Sequence, residues 1–325
     1  MHIYSFDETP NRIAIISGKE YLFFSGYNYL GMHVVPEFAA LVRQGIDKYG
    51  WLFPSSRISN TRLKIFEEAE ELLSRLTGME ETLLVSSGYT SGRIATDLFK
   101  TNIVNLQPSH PAITRTNNST SENVFAVDSV EPLHASITNF LFVTDNTTNK
   151  IIIIDDSHGI GLIGSNGEGI SSRLSQSEQT KYILTYSLSK AFNINAGAIS
   201  CGKEIAMQFR TSHAYTSATA PSPSLLYAFI NGQHFYELQR KKLRQNVQYF
   251  HSLIQDLSGI HFHAELPVFI LPEDTNIEKL HNANVIISSF SYPDVNGKKI
   301  NRIVLNALHT QEDIERLSAC LHDIF

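Results

Sequence analysis

The feature that most constrains this chain is a series of short apolar runs with helical spacing between them. Residues 82–85 (Thr-Leu-Leu-Val), 123–127, 140–143, 151–154 (four isoleucines), 182–185 and 198–200 each read as a strand with apolar side chains on both faces. Strands of that kind need cover on both faces. Helices supply it in a mainly parallel sheet, so the pattern predicts an α/β fold. The clearest helix is expected over 62–76, where Leu63, Phe66, Ala69, Leu72, Leu73 and Leu76 share one face and Glu67, Glu68, Glu70 and Glu71 face solvent. Gly78 supplies its stop. A long helix is expected over 223–257, with Arg240, Lys241, Lys242 and Arg244 on a solvated face. From residue 258 the pattern shortens to strands at 268–271, 285–287 and 302–305 and a helix at 312–324, which predicts a small α+β lobe. At 325 residues the chain exceeds what one core normally accommodates. We expect an N-terminal segment (1–40), a large domain (41–225), and a long helix with a small C-terminal domain (226–325).

Charge and cysteine content limit the partners. The formal net charge is -6 and no Lys/Arg block forms a basic stripe, which argues against nucleic acid. No apolar run is long enough to span a membrane, and the first residues lack the charged and apolar regions of a signal peptide. Cys201 and Cys320 are too few for a disulfide framework, so the expectation is a soluble cytoplasmic protein. Residues 114–122 read as an exposed polar loop, and the sequons at Asn118 and Asn146 carry no weight without a secretory signal.

Three features follow strand ends, where open α/β sheets place their ligands. The first is Ser86-Ser87-Gly88-Tyr89-Thr90-Ser91-Gly92. Small residues opening a helix can aim backbone N–H groups at a phosphate, although many ordinary strand-to-helix turns look the same. The second is Asp155-Asp156-Ser157-His158-Gly159, after the isoleucines. A strand-end Asp can hold a heteroaromatic ring nitrogen protonated, with a His nearby, or it can simply cap the next turn. The third is Ser187-Leu188-Ser189-Lys190-Ala191-Phe192. A lysine among apolar side chains is partly desolvated, which frees a neutral amine for a Schiff base; a snorkelling lysine is the alternative.

Taken together and in this order, the three features resemble fold-type I pyridoxal 5′-phosphate (PLP) enzymes, and specifically the α-oxoamine synthase family. Further segments carry the resemblance: Phe24-Ser25-Gly26-Tyr27-Asn28-Tyr29-Leu30-Gly31; the glycine spacing through Gly159, Gly161, Gly164, Gly167 and Gly169; Tyr215-Thr216-Ser217-Ala218-Thr219-Ala220-Pro221; and Arg302 followed by Ala307-Leu308-His309-Thr310. The resemblance implies a PLP-transferase fold with a small α+β C-terminal domain, and PLP held covalently by Lys190. It further implies that Asp155 pairs with the pyridinium nitrogen, His158 bonds the ring's phenolic oxygen and His110 stacks on the ring. The phosphate is expected at Ser87, Gly88, Tyr89 and Ser187. Ser217 is expected to reach it across the interface of a homodimer. Arg302 is expected to take the amino-acid carboxylate bidentately, with Tyr27 beside it.

The implied reaction is decarboxylative condensation of an amino acid with an acyl-CoA thioester. An aminotransferase on the same scaffold, or a PLP-binding protein with little turnover, are the alternatives. Departures from the family pattern concern the substrate. Tyr27 stands where the family has Asn, bulky Trp51-Leu52-Phe53 replaces glycines near the expected acyl-CoA channel, and a helix and loop before residue 151 are missing, with Asp145 in the region of the family's Glu.

Overall fold

The computed structural model describes residues 3–99, 103–107, 109–115, 123–131, 133–140, 149–175, 177–292 and 296–325. The ends of the strand expected at 140–143 and of the loop at 114–122, the two sequons, Pro108 and Asp145 lie outside those residues. The chain divides into two compact units, one of residues 35–130 and 137–236, the other of residues 1–34, 131–136 and 237–325.

The first unit is built on a six-stranded sheet in the order Glu81–Val85, Gly197–Cys201, Thr180–Ser187, Lys150–Asp155, Val124–Asp128, Val104–Asn105. The last four strands run parallel. Gly197–Cys201 is antiparallel to both neighbours, a local exception to the parallel expectation. Only Leu188 to Ala196 separate it from the preceding strand, too short a connection for a crossover helix, so the chain returns directly. The isoleucine strand is as buried as its composition requires: Ile152, Ile153 and Ile154 are each 0% exposed. Ile153 packs with Leu83, Ile183, Ile199 and Phe209 in one core cluster.

Two helices differ from the expectations. The helix Lys64–Thr77 forms and ends on Gly78 in the left-handed conformation, but Glu70 is buried rather than solvated. Its carboxylate accepts from Arg57 Nη2 at 2.8 Å and from the Leu84 amide at 2.9 Å, and Arg210 lies 3.6 Å away. Burying this charge is tolerable because two guanidiniums and an amide replace its water. The long helix is broken in two, Pro223–Asn231 and Gln233–Ile254. The break falls at Gly232, where an added Cβ would lie 2.7 Å from the Ala228 carbonyl oxygen and 3.0 Å from the Phe38 ring. In the basic run, Lys241, Lys242 and Arg244 are exposed, whereas Arg240 is buried.

The second unit carries a sheet in the order Ile13–Ile16, Lys19–Phe24, Val285–Tyr292, Lys298–Val304, Val268–Leu271, His261–Phe262. The N-terminal strands therefore pair with C-terminal ones, through the parallel register of Leu22 with Val285. The helix Gln311–His322 starts on a capping box between Thr310 and Asp313, and Arg12 pairs with Asp313 at 2.7 Å. Among the described residues, no helix is long and apolar enough to cross a membrane.

Candidate active site at the strand ends

Register brings the strand-end features together. Asp155 pairs with Thr185 across the parallel strands, and Ser187 pairs with Gly197 on the next, so the segments after Val85, Asp155 and Ser187 emerge at one edge of the sheet. The helix Gly88–Asp97 opens there. Ser87 caps it, its hydroxyl accepting from the Thr90 amide at 3.1 Å, which leaves the amides of Gly88 and Tyr89 in the helix's unsatisfied first turn. Glycine is required where these segments converge. A Cβ at Gly88 would lie 2.5 Å from Ser187 Cβ, and one at Gly197 would lie 2.2 Å from the Ser87 carbonyl carbon and oxygen. The close approach sets the helix N-terminus directly against Ser187, whose hydroxyl shares a 2.7 Å hydrogen bond with that of Ser189.

Lys190 is half-buried, and its Nζ lies 2.9 Å from His158 Nε2. Asp155 is 6% exposed, its Oδ1 accepting from the Ser157 amide at 3.0 Å. His110 Nδ1 stands 3.7 Å from Asp155 Oδ2 but accepts from the Ala112 amide at 3.2 Å. The second contact decides the ring's state, because a nitrogen that accepts a hydrogen bond carries no proton. Burial, aided by the Lys190 ammonium and opposed by the Asp155 carboxylate, lowers the His110 pKa below the ordinary histidine value in agreement. The His110 amide donates to Asp128 Oδ2 at 2.9 Å, fixing the loop that carries it.

The other expected residues are placed differently. Ser217 is exposed at the end of the short helix His213–Ser217, and no hydrogen bond links it to this cluster among the described residues. Arg302 and Tyr27 belong to the second unit and meet each other there. Arg302 is 3% exposed on the strand Lys298–Val304 and donates from Nη2 to the Tyr27 hydroxyl. Its guanidinium carbon lies 4.7 Å from the Tyr27 ring centre and 5.3 Å from that of Phe290. Tyr27 therefore occupies one arm of the fork expected to be free for a carboxylate.

Sequence reasoning passed over two supporting residues. Ser157 Oγ accepts from the Ser187 amide at 3.0 Å, tying the strand end before Lys190 to the turn carrying His158. Ser129 donates its amide to the Asp155 carbonyl at 2.9 Å and its hydroxyl to Asp156 Oδ1 at 2.6 Å. The acidic doublet was visible in the sequence, but Ser129 carried no local signal. Chemically, the cluster combines a lysine amine, a strand-end carboxylate, two imidazoles and a helix N-terminus pressed to a glycine. That donor set suits a phosphorylated pyridine aldehyde, with the glycine cradle as the structural sign of a phosphate.

A sheet of this topology, with a lysine and a buried aspartate at its strand ends, is the scaffold of fold-type I PLP-dependent transferases. The solved structures it matches include serine palmitoyltransferase of Sphingomonas wittichii, with a TM-score of 0.81 and 18% identity over 98% of this chain and 91% of that one. They also include 8-amino-7-oxononanoate synthase of Francisella tularensis, with a TM-score of 0.75 and 20% identity over 93% of this chain and 97% of that one. In sequence it is 27% identical to an 8-amino-7-oxononanoate synthase of Buchnera aphidicola subsp. Baizongia pistaciae, across 97% of this chain and 92% of that protein. The chain belongs to the aminotransferase class I and II family, whose profile matches residues 132–321. Its cofactor is PLP, the group bound in serine palmitoyltransferase structures that the fold also matches.

Proposed function

We propose that this protein joins an amino acid to an acyl-CoA thioester. The new bond forms between the amino acid's α-carbon and the acyl carbonyl carbon; the α-carboxylate leaves as CO2 and the thiol of CoA is released, with one proton consumed. The observation that carries the reading is the 2.9 Å contact of Lys190 Nζ with His158 Nε2 beside the Asp155 carboxylate. Bound there, the cofactor supplies a ring that accepts the electron pair left when the α-proton departs.

The chain's own residues do the rest. Lys190 would hold the cofactor covalently, and its Nζ is the group that would take the α-proton and return it. Asp155 would keep the ring nitrogen protonated, while His158 would bond the phenolic oxygen. Neutral His110 can lie flat against the ring without adding positive charge to it. The amides of Gly88 and Tyr89, with the hydroxyls of Ser87 and Ser187, receive the phosphate at the helix N-terminus. Arg302, with Tyr27, takes the amino-acid carboxylate through its remaining donors. The protein acts as a homodimer in which Ser217 completes the phosphate site of the partner subunit; its exposure is compatible with that role.

The test is thiol release. Purified protein with PLP, single amino acids and acyl-CoA thioesters of varied chain length should liberate free CoA. Conversion of the cofactor to its amine form without thiol release would replace this reading with transamination. A cofactor spectrum indifferent to every amino acid would leave only a binding role.

A further inference from the structure

Directly behind the cluster lies a carboxylate that none of the assigned roles uses. Asp156 is 0% exposed, between Asp155 and Ser157. Its Oδ1 accepts from Ser129 Oγ at 2.6 Å and its Oδ2 from the Ile170 amide at 3.0 Å. Glycines press on both oxygens: a Cβ at Gly159 would lie 2.0 Å from Oδ1, and one at Gly169 would lie 1.9 Å from Oδ2. The backbone follows the same centre. The Asp156 carbonyl accepts from the amides of Gly159 at 3.0 Å and Ile160 at 2.9 Å, closing the turn that carries His158. Ser129 also donates its amide to the Asp155 carbonyl, so one residue after the neighbouring strand grips both aspartates.

We propose that Asp156, with Ser129 as its partner, is the positioning residue of the cofactor site. It pins the strand end bearing Asp155, the turn bearing His158 and the 3-10 turn Gly169–Arg173 to one point. The inference rests on PLP binding at Lys190. The two bonds tie segments 27 and 14 residues away to a single side chain. A buried carboxylate holds its acceptors in fixed directions because no water can replace either donor. Asp156 acts through Asp155 and His158 and touches neither cofactor nor substrate.

Three variants of the full-length protein test this: Ser129→Ala, Asp156→Ala and Asp156→Asn. PLP release from each holoprotein is followed by equilibrium dialysis, alongside the pH midpoint of the bound cofactor's visible absorbance and the thermal midpoint. The carboxamide of Asp156→Asn can accept from the Ile170 amide and donate to Ser129 Oγ, so it preserves both links. Ser129→Ala and Asp156→Ala should each raise the PLP dissociation constant about tenfold and shift the absorbance midpoint, whereas Asp156→Asn should stay within about twofold of the wild type. A merely structural role would lower the thermal midpoint and leave affinity and absorbance unmoved, which would overturn the proposal. If Asp156→Ala does not fold, the contrast between Ser129→Ala and Asp156→Asn decides. A wild-type protein that retains no PLP would instead refute the reading on which the inference rests.

Discussion

Asp156 makes stability depend on pH in a direction opposite to that of an ordinary paired carboxylate. Burial, reinforced by the Asp155 charge and opposed by the bonds from Ser129 and Ile170, pushes its pKa from 3.8 up to about 7. Asp155 on its own strand and Tyr186 on the adjacent one are the titratable groups coupled to it; Ser129 and Ile170 present a hydroxyl and an amide that do not titrate in this range. Below pH 3.8 the group is protonated in both folded and unfolded chains. Between there and about pH 7 the folded chain holds a proton that the unfolded chain has lost, so stability falls as pH rises; above that it is level. At about 1.4 kcal/mol per pH unit, the fall between pH 5 and pH 8 is on the order of 3 kcal/mol. Asp156→Asn removes this contribution. In urea unfolding, the variant should exceed the wild type by roughly 1.5 kcal/mol near pH 5 and by roughly 4 kcal/mol at pH 8, a gap that widens by about 3 kcal/mol. Taking the difference between the two proteins cancels all groups they share. A difference that does not change between these pH values would refute the reasoning, because it would mean that the folded carboxyl titrates like the unfolded one.

Two further outcomes follow from the packing. Gly88→Ala should drive the helix N-terminus from Ser187, costing about 1–3 kcal/mol of stability and weakening PLP retention at least about tenfold; thermal melts and cofactor titration check both. His309 is held near a pKa of about 4 by burial, against its bond to the Phe23 carbonyl, and its Nδ1 accepts from the Asn306 amide. Its neutral form stabilises the fold fully above pH 6.5, and that contribution is lost as pH falls towards 4; the ring's NMR signals should therefore show no titration near pH 5.5.

Much of this site was legible in the sequence because its chemistry follows strands of unmistakable composition. An isoleucine run buried on both faces has few alternatives to a central strand, and the residues after it inherit a place at the sheet edge. The placement of Asp155 and His158 at the sheet edge could be read for that reason, and that of Lys190 from the neighbouring strand, whereas their roles towards a cofactor came only with the family resemblance. Glu70 could not, because its helical pattern allows either burial or exposure, and its partners Arg57 and Arg210 come from distant segments. The break at Gly232 depends on Phe38, which local helix preference cannot register. The link from Ser129 to Asp156 depends on the register of two strands, and that from Arg302 to Tyr27 joins residues 275 apart in the chain. Both belong to tertiary structure alone.

The attachment at Lys190 is open to one direct measurement. Borohydride reduction of the PLP-loaded protein fixes the carbon–nitrogen bond between lysine and cofactor, and peptide mass mapping then locates it. The phosphopyridoxyl mass should fall on the peptide containing Lys190 and vanish in Lys190→Ala. A label on any other lysine, or a visible cofactor spectrum surviving unchanged in Lys190→Ala, would contradict the assignment.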